Sequence, residues 1–119
     1  MLTLKLHPTL TPQKWGGQPL GKQLLHIVAE VNRTKNALRM QAEDLVTGSL
    51  DRAFELVDLT IETNRGNRIL REILRFREVL AEFYVRPWSQ KTYPDFIRIM
   101  KVFMDLDPAA HALKAQMTF

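Results

Sequence analysis

A chain of 119 residues with 45% apolar and 25% charged residues has the composition of an ordinary globular domain, able to bury about two-thirds of its unfolded surface. Its net charge of +4 permits an anionic partner without requiring one, and the absence of cysteine excludes disulfides, thiolate metal sites and cysteine nucleophiles. No apolar run approaches the roughly 20 residues that span a bilayer, and the N-terminal residues lack the uninterrupted apolar segment of a signal peptide. A cytoplasmic protein with no membrane partner is therefore expected.

Residues 1–19 read as an arm. Met1 to Leu6 alternates Leu2, Leu4 and Leu6 with Thr3 and Lys5, a strand-like period that needs something to lie against. Thr11-Pro12 then forms a cap followed by proline at the first helical position, and Gly16-Gly17 and Pro19 stop the helix after about one turn. That turn presents Trp15, which is expected to pin the arm to the rest of the molecule.

Residues 20–119 read as a single helical domain. The first main helix is expected from about Leu20 to about Val46, with Leu20, Leu24, Ile27, Val31 and Leu38 as its apolar stripe. Its far end, from Met40, is less regular and leads to a break at Thr47-Gly48. The second is expected to start on Ser49 as cap, with Asp51 in its first turn and Leu50, Ala53, Phe54, Val57 and Ile61 buried. After the break Asn64-Arg65-Gly66-Asn67, the third runs to Val85 with Ile69, Ile73, Phe76, Leu80 and Phe83 spaced 4, 3, 4 and 3. Arg86-Pro87 ends it, because the residue before proline is pushed out of the helical region. The fourth starts near Pro94 and runs to about Asp105. Asp107-Pro108 starts a short last helix before the apolar tail Met117 to Phe119. The result is an all-α fold: an antiparallel bundle of four main helices with an extended N-terminal arm and a short C-terminal helix.

Two charge stripes stand out. Asp51, Glu55, Asp58 and Glu62 lie on one face of the second main helix, and Arg68, Arg71 and Arg75 on one face of the third. Folding the two about the intervening loop predicts Glu62 against Arg68 or Arg71 and Glu55 against Arg75. Arg65 and Arg77 fall outside this stripe and are the better candidates to meet an anion, as guanidinium groups near a helix start suit phosphate.

The segment Val85 to Tyr93 interleaves Arg86 and Lys91 with Trp88 and Tyr93, the composition of surfaces on which single-stranded nucleic acid stacks. With Arg98 and Lys101 these residues make a candidate phosphate-binding set: Arg65, Arg77, Arg86, Trp88, Lys91, Arg98 and Lys101. The fourth main helix is apolar around most of its circumference. Such a helix needs cover on several sides, so Phe96, Ile99, Met100, Phe103, Met104 and the tail Phe119 form a candidate interface with a second copy or another protein.

Signals for catalysis are absent from the sequence pattern. His26 is followed by Ile27, Val28, Ala29 and Glu30, without the lysine and glycine that accompany the reactive histidine of phosphotransfer domains. There is no Glu-x-x-His pair for a di-iron bundle, no glycine-rich phosphate loop and no nucleophile elbow. No enzyme activity, metal or cofactor is expected. In size, basic character and helix count the chain is similar to small four-helix-bundle accessory proteins, such as those encoded in ribosomal RNA intervening sequences or beside diversity-generating reverse transcriptases. That likeness is one of architecture. The expected function is a non-enzymatic interaction protein, an oligomeric or partner-bound accessory subunit; the alternative is a nucleic-acid-binding accessory protein that contacts backbone phosphates.

Overall fold

Helix ends in this chain are set by turn chemistry. The computed structural model describes residues 6–85, 92–117 and 119, and among these it is all-α. The first helix, α1 (Pro12–Gly16), starts where Thr11 Oγ1 accepts from the Lys14 N–H at 3.2 Å, and Pro12 loses nothing at a position whose N–H has no helical partner. Then come α2 (Leu20–Arg39), α3 (Glu43–Thr63), α4 (Leu70–Val85), α5 (Thr92–Met104) and α6 (Pro108–Lys114). Asp107 caps α6, its Oδ2 accepting from the Ala109 and Ala110 N–H groups at 3.0 and 3.3 Å.

One boundary differs from the sequence expectation. The first long helix ends at Arg39, and α3 passes straight through Thr47, Gly48 and Ser49. Gln41 adopts a left-handed φ of 56°, the Ala42 N–H reaches back to Ala37 O and the Gln41 N–H to Leu38 O. This is the hydrogen-bond pattern of a Schellman C-terminus, built on glutamine where glycine is usual. A non-glycine residue there costs about 1 kcal/mol, so packing must hold the turn. It does so through the buried Leu38 and Leu50 and a 2.7 Å hydrogen bond between the Thr34 and Ser49 hydroxyls. Ser49 is thus a buried rivet between α2 and α3 and not a cap.

Polar contacts fix how those two helices align. Gln23 near the start of α2 accepts from Asn64 beyond the end of α3 at 2.8 Å, and Glu30 accepts from Arg52 Nε at 3.0 Å. With Thr34–Ser49 the contacts advance along α2 while retreating along α3, so the two run in opposite directions. Glu30, only 5% exposed, also takes Arg33, and a carboxylate buried this deeply is tolerable because two guanidiniums face it.

The core gathers side chains from all six helices. Leu24, Ile27, Val28 and Val31 of α2 meet Ala53, Val57 and Leu59 of α3, Ile73, Phe76 and Leu80 of α4, and Phe96, Met100, Phe103 and Met104 of α5. Phe76 stacks on Phe103 with centroids 4.0 Å apart, and Phe83 meets Phe96 edge-on at 5.2 Å. Two glycines shape the helix ends. Gly21 lies where a Cβ would come within 2.7 Å of Asp107 Oδ1, so the start of α2 can sit against the cap of α6; Gly66, at φ +87°, turns the chain between α3 and α4.

Trp15 docks the N-terminal segment as expected. It is 1% exposed within the core and its indole N–H donates to Thr60 Oγ1 at 2.9 Å. Further out, the Leu6 N–H and His7 Nδ1 both lie on the Glu55 carboxylate, at 3.0 and 2.9 Å. The strand-like residues 1–5 lie outside the described residues. Replacing Trp15 with Ala should cost about 3–5 kcal/mol in chemical denaturation, the range for removing a fully buried large aromatic. A loss below about 1 kcal/mol would mean that α1 is not part of the folded unit.

Candidate basic face on the fourth helix

The rotation of α4 determines which charges meet. Ile73, Phe76 and Leu80 point into the core, and on one flank of that stripe sits Arg77. Its Nε donates to Asp58 Oδ1 at 2.5 Å and its Nη2 to Oδ2 at 3.3 Å, while its guanidinium also lies 5.4 Å from the Phe54 ring centroid. The Asp58 carboxylate beside it holds the Arg77 guanidinium above its usual range. Arg65 bonds Glu62 within its own turn at 2.8 Å, and that guanidinium holds the Glu62 carboxyl below its ordinary value. Asp51 raises the Tyr84 hydroxyl by accepting its hydrogen bond.

This pairing differs from the one expected from spacing. Asp58 takes Arg77, Glu62 takes Arg65 and Glu55 takes His7. Arg68, Arg71 and Arg75 are exposed and form no ion pair with any described residue. Arg77 is thus held at the seam with α3 and Arg65 pairs with Glu62 at the surface, whereas the stripe assigned to helix pairing faces solvent. Arg75 and Arg77 are two residues apart, roughly 200° around a helix, so a choice of one for α3 exposes the other.

The remaining candidates divide similarly. Arg98 bonds Asp95 at 3.0 Å, and the Lys101 Nζ lies 4.7 Å from the Phe119 ring centroid. Arg86, Trp88 and Lys91 lie outside the described residues. Of the proposed interface, Phe96, Met100, Phe103 and Met104 are buried in the chain's own core, and Ile99 and Phe119 are partly buried against it. The apolar circumference of α5 is consumed by α2, α4 and α6, leaving Val102, 61% exposed, as its outward apolar residue. Beside the arginine stripe, Leu74 on α4 is 43% exposed.

An apolar groove runs between α4 and α5, lined by Phe76, Val79, Ile99, Val102 and Phe103 and rimmed by Glu72, Arg75 and Arg98. A second cleft of about 330 Å³ opens between Leu38, Val46, Leu50, Phe83 and Phe96, with Glu43 and Tyr84 at its edge. Among the described residues no group of three or more His, Cys, Asp or Glu side chains is placed to hold a metal ion. Nor is any helix there long and apolar enough to cross a membrane. No protein-family model matches the chain, and no match is found among curated proteins or solved structures.

Two expectations follow. In thermal or chemical denaturation Arg77→Ala should cost about 1 kcal/mol, the sum of a half-exposed ion pair and a cation–π contact, whereas Arg71→Ala should stay within about 0.5 kcal/mol of the parent. The second concerns Lys35, which is 3% exposed, with its Nζ 5.1 Å from the Phe119 ring centroid. Burial, and secondarily Arg39, lowers its pKa below 10.5. The unfolded chain then binds the extra proton between the lowered value and 10.5, so stability should rise with pH across that window. Unfolding curves of the parent and of Lys35→Met between neutral pH and pH 10.5 should show this rise only in the parent.

Proposed function

We propose that this chain is a non-enzymatic helical interaction protein, a cytoplasmic accessory subunit that works in association with another macromolecule. The observation that supports the reading is the solvent face of α4. With Arg68 in the turn just before it, this face places three exposed arginines, Arg68, Arg71 and Arg75, around an exposed leucine, Leu74, with none of the arginines paired to a described carboxylate. Arginine is favoured at contact surfaces because its planar fork binds carboxylate or phosphate in two places and its weak hydration lowers the cost of burial. A surface that presents three of them without an ion pair to any described residue is suited to an external partner.

A second reading, contact with nucleic-acid phosphates, is favoured by the same three side chains lying on one side of the chain over two helical turns. No recognised base-reading motif accompanies them, so that contact would be electrostatic and indifferent to sequence. The plot of log affinity against log salt would then have a slope of about −2.7 on duplex DNA and about −2 on single strands, as expected for three phosphates neutralised.

The test pairs sedimentation velocity of the protein alone with fluorescence anisotropy of mixed-sequence RNA and duplex DNA at low salt. Association in at least one assay is expected. A variant carrying Arg71→Glu and Arg75→Glu should lose it while keeping its helical circular dichroism and its unfolding midpoint. A parent chain that stays monomeric and binds neither nucleic acid would contradict the assignment of this face.

A further inference from the structure

Continuing α4 past the arginines, the same stripe changes sign. Arg71 and Arg75 are followed by Glu78 and Glu82 at spacings of 4, 3 and 4, so one exposed line of the helix is basic in its first half and acidic in its second. That order is its own complement when reversed. We propose that the partner of the α4 face is a second copy of this chain, docked with its α4 antiparallel about a twofold axis opposite the midpoint between Phe76 and Arg77. This rests on the reading of α4 as an interaction surface and names its occupant.

The register follows from counting. With the axis at that midpoint, Arg75 of each copy opposes Glu78 of the other, so the pair occurs twice, as a twofold interface requires. Arg71 falls opposite Glu82 in the same register. Because Glu82 already has an interaction within its own chain, the recognition is carried by Arg75 and Glu78. A parallel arrangement in register would set arginine against arginine and glutamate against glutamate, so the charges select the antiparallel one.

Apolar surface borders this stripe on both sides. Leu74 lies on the flank away from α5, and the α4–α5 groove with Ile99 and the exposed Val102 lies on the other. A twofold axis of this kind brings like flank to like flank, so each apolar border meets its own copy. The ion pairs set direction and register, and the two borders supply the burial. The 16 residues of α4 span about 24 Å, which places the interface near the small end of the range for stable complexes. The dimer is therefore weak, concentration-dependent and salt-sensitive.

Charge reversal tests this on the intact chain. Sedimentation velocity over a concentration series at low salt should show a monomer–dimer equilibrium. Arg75→Glu or Glu78→Arg alone should weaken it by about tenfold or more, since each places like charges opposite one another twice. An equimolar mixture of the two single variants should form a heterodimer, because every opposed pair is then of opposite sign. For the same reason the double variant R75E/E78R should recover the parent's association. The unfolding midpoint of each variant, unchanged from the parent, shows that the fold is intact.

A parent chain that remains monomeric throughout overturns the second copy as partner, and binding of RNA in the anisotropy assay would then assign the face to nucleic acid. A dimer that neither reversal weakens overturns both this proposal and the α4 surface as the interaction face. Single variants that fail to combine in the mixture overturn the antiparallel register.

Discussion

The rotation of α4 about its own axis governs what this protein presents to its surroundings. Burying Ile73, Phe76 and Leu80 removes three large apolar side chains from water, at about 1.5–3 kcal/mol each. An exposed ion pair contributes about 0.2–1 kcal/mol. When the apolar stripe and the charge stripes prefer different rotations, the apolar stripe prevails. The charges then pair with whatever the resulting flank offers, which on the α3 side is Arg77 with Asp58.

From that rotation the electrostatic surface follows. Arg77, tied to Asp58 and lying over Phe54, becomes part of the seam between α3 and α4. Arg68, Arg71 and Arg75 are carried to the opposite side and, together with Leu74, stay exposed, the arginines without an ion pair to any described residue. Some charges elsewhere are paired within the chain. Asp105 takes His111 and Lys114, which hold its carboxyl below the usual range, and Glu30 is enclosed by Arg33 and Arg52.

Much of the fold was legible because local chemistry and packing agree. Thr11-Pro12 and Asp107-Pro108 start helices, Gly66 turns the chain at a left-handed position, and the 4, 3, 4, 3 run from Ile69 to Phe83 marks the inward face of α4. Trp15 was readable as an anchor because a large aromatic on a single turn has little else to do. The α2–α3 junction was not legible. Met40-Gln41-Ala42 contains no glycine or proline, whereas Thr47-Gly48-Ser49 has the residues of a break, so local propensity pointed seven residues too far along. Tertiary contacts at Thr34–Ser49 and around Leu38 and Leu50 overrode it. The expected pairing of Arg68, Arg71 and Arg75 with α3 failed for a related reason. Spacing identifies which charges share a face, but the face that meets a neighbouring helix is fixed by side chains that spacing of charges ignores. The cover of α5 could not be read either, since it requires knowing that α2, α4 and α6 all converge on one helix.

The measurement that tests the orientation of α4 most directly is a pair of double-mutant cycles on folding stability, one across Asp58 and Arg77, the other across Glu62 and Arg71. The structure predicts a coupling of about 0.5–1 kcal/mol in the first and none resolvable in the second. The reverse result, with coupling between Glu62 and Arg71 and none between Asp58 and Arg77, would mean that α4 is turned the other way and that its arginines serve the bundle and not a partner.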